Sequence, residues 1–332
     1  MSPMVLGRMS TLLRAKGGLG SLALIALQFG LQPLMAKEFI SPQVVTSSLV
    51  FSAEFVKIIV CFACLLSDDV GIRCLSNWKL KDCLIAAGVP SVTYCIQNYC
   101  IQVAYQNLDG VVFNVLNQSK VLFTALFSFL LNGRRQSAVQ CLALGLVSTG
   151  GIMVGVHTTA SDSDPSRDAE NGSMGVICVL TAACLSGLGS GITEWSLQET
   201  KRNNYLLSLE LASIGCALIL ITTVLGLSAG SARIKEEGFF VGWQATTIIP
   251  VLTQGLVGVI VGIVTQVAGG VRKVMATICG LLLTCLVQQL FLGRELSAWV
   301  IGAVPMVVGG IFLHAGYPPR KQVLNTAALK EP

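Results

Sequence analysis

The sequence predicts an all-α polytopic membrane protein with ten transmembrane helices in two inverted five-helix repeats. Three observations carry this. Of 332 residues, 53% are hydrophobic and 12% charged, and mean hydropathy is +0.73, whereas soluble domains carry about 25% charged residues. Apolar runs long enough to cross a bilayer recur along the chain. An acidic, Ser-rich, Pro-broken segment (TTASDSDPSRDAENG, 158–172) divides them into two sets of five.

In order, the runs are 18–36, 44–66, 82–105, 111–132, 138–156, 174–196, 205–229, 241–267, 271–292 and 298–316. The first is too long for a signal peptide, and Ala36-Lys37-Glu38 is not an A-x-A site, so it is expected to stay as a signal anchor. The segments around Pro33 and Pro90 are expected to bend the first and third helices. The third run is polar in its middle. The eighth abuts the ninth at Gly269-Gly270, where a bend or unwound link is expected. The organisation is then a tail (1–17), a first half (18–156), an acidic linker (157–173), a second half (174–316) and a second tail (317–332). An odd number of spans per half makes the repeat inverted.

Charge sets the orientation. With both termini on the cytosolic side, 15 of the 22 Lys and Arg fall on that side and five on the other. Lys57 and Lys120 remain within spans. The bias holds loop by loop, so the positive-inside rule places both termini in the cytosol and the acidic linker in the lumen. The net charge of +5 is explained by these loops and calls for no nucleic acid. The twelve cysteines are scattered, mostly within the runs, and read as small packing residues rather than a disulfide framework. Two histidines do not make a histidine-based metal site. The motifs of nucleotide hydrolysis and of zinc proteolysis are missing from the sequence. Gly17-Gly18-Leu19-Gly20 opens a span rather than following a strand, so it is not a dinucleotide fingerprint. An enzyme, a cofactor and a metal are therefore not expected.

The informative residues are polar ones at membrane depth. An ammonium at mid-bilayer costs at least about 2.5–3.5 kcal/mol, and Lys120 has no acidic neighbour in its own run. It is expected to face a partner or a watery cavity. Asn114, Asn117 and Lys120 follow at three-residue spacing, a polar stripe with Gln118 beside it. Tyr94, Gln97 and Asn98 share one face and serve either as helix glue or as ligand contacts. Glu54 and Lys57 sit at i, i+3, as a packing ion pair or as the charged rim of a cavity. Glu194 and Glu210 lie near helix ends, as partners for a lysine or as hydrated groups. Lys273 follows the glycine pair at a helix start, as an anion contact or a flanking charge beside Arg272. This set fits binding of a phosphate-bearing polar solute and does not fit bond-making chemistry.

Several stretches resemble the nucleotide-sugar transporter family. They are Tyr94-Cys-Ile-Gln-Asn98, Asn107-Leu-Asp109, Phe113-Asn-Val-Leu-Asn-Gln-Ser-Lys120 and Thr124-Ala-Leu-Phe-Ser128. They match a pattern of roughly Y-x-x-Q-N, N-L-D, Y-Q-x-x-Y-Q-x-K and T-A-L-F-S. Residues 26–37 (ALQFGLQPLMAK) and Ala53-Glu-Phe-Val-Lys57 match the family's first two helices. The resemblance is to the pyrimidine-nucleotide branch, which holds the CMP-sialic acid, UDP-galactose and UDP-N-acetylglucosamine transporters. It belongs to the drug/metabolite transporter superfamily. It implies exchange of a cytosolic UDP- or CMP-linked sugar for lumenal UMP or CMP, by alternating access, in the Golgi membrane. A homodimer is compatible with it.

The resemblance implies that Glu54, Lys57, Tyr94, Asn98 and Lys120 line the nucleotide cavity, with Lys120 at the phosphate. Lys273 matches a lysine of the motif K-Y-A-D-N-x-x-K-G-F-A, which reads here Gln266-Val-Ala-Gly-Gly-Val-Arg-Lys273-Val-Met-Ala276. Phe113 and Asn117 stand where the family has tyrosines, Ser208 where it has Asn, and Glu210 where it has Gln. Glu194, in Ile-Thr-Glu-Trp, resembles the Tyr-Thr-Glu or Asn-Glu-Tyr of some branches. The eroded second-half motif keeps two alternatives open: a membrane scaffold that has lost transport, and a superfamily transporter of another phosphorylated solute.

Overall fold

The computed structural model describes residues 19–67, 69–108, 110–160, 172–228, 230–292 and 297–317. The two tails and most of the acidic linker expected from the sequence, with Gly17 and Gly18, lie outside them. The described residues are mostly helical, with no strand among them. In order they form α1 (Leu19–Phe39), α2 (Thr46–Leu66), α3 (Asp69–Ser76), α4 (Leu80–Cys83), a π-helical turn (Leu84–Gly88) and α5 (Val89–Asn107). Then come α6 (Gly110–Asn117), α7 (Lys120–Asn132), α8 (Ala138–Ala160), α9 (Gly172–Gln198), α10 (Asn204–Val224) and α11 (Ser231–Glu237). A 3-10 turn (Ala245–Thr247) leads into α12 (Ile248–Ala268), α13 (Gly270–Leu292) and α14 (Ala298–Gly316).

Among the described residues, seven helices are long and apolar enough to cross a membrane: α2, α8, α9, α10, α12 with its 3-10 turn, α13 and α14. α5 is polar along its length, and α6 and α7 are each shorter than a span. Large apolar side chains point outward, among them Leu290 (77% exposed), Phe312 (73%) and Val224 (71%). Such surface belongs against lipid.

Three expectations change. The fourth run is two helices, because the chain breaks at Gln118 and Ser119 between α6 and α7. The eighth begins several residues later than expected. Positions 239–244 instead form a turn, in which the rings of Phe239, Phe240 and Trp243 stack edge to face. The seventh ends at Val224, and α3 and α11 were not foreseen. Pro90 explains the π turn before α5. It has no N–H for the carbonyl one turn back, so the preceding coil widens, and Val89 N–H reaches Leu84 O. Pro33 lies within α1, whose helix continues past it.

The helices pack in recurring pairs. α14 lies on α8, α9 on α5 and α7, α13 on α1, α10 on α2, and α12 on α1 and α2. Half of the membrane-length window is buried in α9 and α13, against 22% in α2, so α9 and α13 sit at the centre. Without a hydrophobic drive between helices in lipid, small residues let backbones touch. A Cβ on Gly280 would lie 2.9 Å from Ala26 O, and one on Gly30 2.9 Å from Gly280 O. Thr284 Oγ1 donates across this contact to Gly30 O at 2.8 Å. A core of Val121, Leu144, Val147, Ile278, Ala303 and Val307 binds α7, α8, α13 and α14.

Candidate functional site

The α6–α7 break positions Lys120. At the break the backbone tightens to three-residue bonds, Gln118 N–H to Val115 O (3.3 Å) and Ser119 N–H to Leu116 O (3.0 Å). Ser119 Oγ also turns back to Leu116 O at 2.6 Å and does not cap α7. Lys120 is therefore the first residue of a half-helix inside the bundle. Its ammonium has no hydrogen bond or ion pair with any described residue. A helix N-terminus carrying a free ammonium favours an anion on two counts, dipole and charge.

The α12–α13 link supplies a second cation. Gly269 adopts φ +86°, a conformation L side chains avoid, and ends α12. This is the bend expected at Gly269-Gly270. Lys273, one turn into α13, donates to Ser190 Oγ of α9 at 3.2 Å. A Cβ on Gly270 would lie 3.4 Å from Thr124 Cγ2, and one on Gly269 3.5 Å from Arg134 Nη1. The start of α13 thus meets Thr124 of α7 and the Arg134 side chain beyond the end of α7. Thr124, one turn after Lys120, thus packs at the start of α13, one turn before Lys273.

The other predicted residues divide. Lys57 Nζ donates to both Glu54 oxygens at 2.7 Å, and the pair occupies space left by Gly258 and Gly215. A Cβ on Gly189 of α9 would lie 2.9 Å from the Tyr94 ring. Gln97 Oε1 is buried without a partner, whereas Asn98 is exposed. Asn114 and Gln118 pack on Gly155 and Gly151 of α8, each 2.9 Å from a would-be Cβ, so this part of the stripe faces α8. Asn117 is half-buried and Phe113 is 2% exposed, packed with Ala104, Cys178 and Val179. Ser208 is buried over Gly262.

The two acidic residues are buried rather than hydrated. Glu210 accepts from Trp78 Nε1 at 2.7 Å and from Arg202 Nε at 3.0 Å, and the Arg202 Nη2 closes the pair. Glu194, 1% exposed, lies 3.4 Å from Arg134 Nη1.

Sequence reading missed Ser190, Arg134 and Asn204. Asn204 is buried over Gly262 beside Ser208, with both amide atoms unpaired. In Asn203-Asn204 the first residue caps α10, accepting from Tyr205 N–H (2.9 Å) and Leu206 N–H (3.3 Å), which leaves the second for another role. That doubled Asn was the available signal.

An unpaired ammonium at a broken span of a membrane-length helical bundle offers an anion a binding point. Residues 19–315 match the family model described as nucleotide-sugar transporter, and the chain belongs to that family. It is 36% identical to the UDP-N-acetylglucosamine transporter ROCK1 of Arabidopsis thaliana, over 89% of this chain and 90% of that protein. It is 29% identical to the UDP-N-acetylglucosamine transporter of Mus musculus, over 84% and 87%. With the UDP-galactose transporter of Schizosaccharomyces pombe it shares 26% identity, over 81% and 77%. A solved crystal structure superposes with TM-score 0.68 over 92% of this chain and 99% of its own; at 15% identity it shows a shared fold alone.

Proposed function

We propose that the chain carries a UDP-linked sugar from the cytosol into the Golgi lumen in exchange for UMP, by alternating access. One observation carries the reading: the unpartnered Lys120 ammonium at the start of a half-helix, one turn before the Thr124 that packs at the start of α13, with Lys273 one turn further along α13. Two cations suit a nucleotide phosphate through charge-assisted hydrogen bonds. Tyr94, Gln97, Asn98, Asn117 and Ser208 are then expected at the base, ribose and sugar. The relatives carry UDP-sugar names, which favours UDP over CMP.

Ten spans in two inverted halves are part of the proposal, with both termini cytosolic. Helix packing supports it. Counting α4–α5 and α6–α7 as single spans, a shift of five spans turns the α1–α13 contact into α9–α7, and α2–α12 into α10–α5. The α8–α14 and α2–α10 contacts map onto themselves.

Thermal unfolding in detergent with UMP, CMP, GMP and AMP tests the binding step. A ligand at 100 times its Kd stabilises by about 2.7 kcal/mol. UMP is expected to raise Tm most. A chain indifferent to all four nucleotides is a scaffold, and that outcome ends this reading.

A further inference from the structure

We propose that Glu194 is a latch that ties the two halves of the chain together at one end of the nucleotide site and is released by the incoming phosphate. The inference rests on the nucleotide reading above and adds a coupling between binding and opening.

The Glu194 carboxylate faces three positive features. Arg134 lies 3.4 Å from Oε1 and comes from the N-terminal half, just past the left-handed Gly133 that ends α7. The start of α13 is the second: a Cβ on Gly269 would sit 2.7 Å from Oε1, and one on Gly270 3.2 Å from Oε2. Only glycine permits that approach, and a helix start favours an anion. The third is Lys273, bonded to Ser190 one turn before Glu194 on α9. One carboxylate thus joins α9 and α13 of the second half to Arg134 of the first.

The latch is built to open. Glu194 Oε2 is buried with no hydrogen-bond partner, so the carboxylate is incompletely satisfied. The Arg134 side chain is 43% exposed and enters water readily once released. A phosphate held by Lys120 and Lys273 places like charge beside Glu194 in a low dielectric. That repulsion weakens the Arg134 contact and lets the halves part at this end.

Glu194→Gln keeps the shape and removes the charge. It removes both the competing anion and the latch, so UMP is expected to bind about tenfold more tightly while exchange in liposomes slows about tenfold, within the usual coupling range. A merely structural role would weaken both. If the parent responds to UMP but Glu194→Gln binds it no more tightly, or exchanges at the parent rate, the latch is wrong. If the parent ignores every nucleotide, the nucleotide reading fails and takes the latch with it.

A second variant covers misfolding. Arg134→Cys with Glu194→Cys, bridged by a reducible bifunctional thiosulfonate, is expected to stop exchange until reduced. Exchange that continues in the bridged protein overturns the latch. Each single variant controls for the twelve native cysteines.

Discussion

Lys120→Ala is expected to abolish nucleotide-sugar exchange while leaving the bundle as stable as the parent or more so. The two signs come from one observation. The Lys120 ammonium has no counter-charge or hydrogen-bond partner among the described residues, so its removal orphans nothing. Lys120 is half-buried, and an ammonium held without a counter-charge at membrane depth carries a standing cost that the substitution relieves. Function bears the whole loss, because a phosphate would forfeit a charge-assisted contact. Lys120→Met, closer in length, separates packing from charge and is expected to behave like Lys120→Ala. The checks are Tm in detergent and exchange in liposomes. A lower Tm with exchange preserved would make Lys120 a structural group.

Glu210→Ala is expected to act in the opposite sense, on the fold first. Both Glu210 oxygens are engaged, by Trp78 and by Arg202, and the carboxylate side chain is 5% exposed. These bonds fasten the segment before α4 to the loop entering α10. Deleting one member of a buried pair costs about 3–5 kcal/mol, because the partner stays buried and uncompensated. Tm in detergent should fall accordingly. Replacing both partners, Glu210→Leu with Arg202→Met, should recover much of the loss. The exposed Arg233–Glu237 pair of α11 has the same chemistry without the burial, and Glu237→Gln is the control expected to change little. A small effect at Glu210 would mean that the tether is not a stability element.

The helical bundle was legible because length and hydropathy decide it, and nine of the ten apolar runs have one main helix apiece. The fourth was misread for a physical reason. Residues 111–131 hold no proline, and the only punctuation is Asn117-Gln118-Ser119, whose side chains are compatible with an unbroken helix. The break depends on neighbours: Gln118 fills the space over Gly151, and α7 packs Phe123 and Phe127 against Gly187 and Gly191. The eighth run began late because Phe239, Phe240 and Trp243 count as apolar, yet here they form an aromatic turn.

The site was half legible. An unpaired lysine in an apolar run announces itself, and Gly269-Gly270 announced its bend. Partnerships did not. Glu194 and Arg134 are sixty residues apart in sequence, and Glu210 reaches back to Trp78, so their pairing exists only once the helices pack. The i, i+3 stripe through Asn117 and Lys120 was drawn across the break, and the structure directs Asn114 and Gln118 to α8.

This bundle is expected to exchange a nucleotide sugar for a nucleoside monophosphate. Purified protein in liposomes preloaded with UMP, CMP or buffer, then offered labelled UDP-N-acetylglucosamine or UDP-galactose outside, tests it most directly. Uptake in UMP-loaded vesicles is expected to be well above that in buffer-loaded ones, and to be lost with Lys120→Ala. Uptake that ignores the internal nucleotide, or that survives Lys120→Ala unchanged, would contradict it.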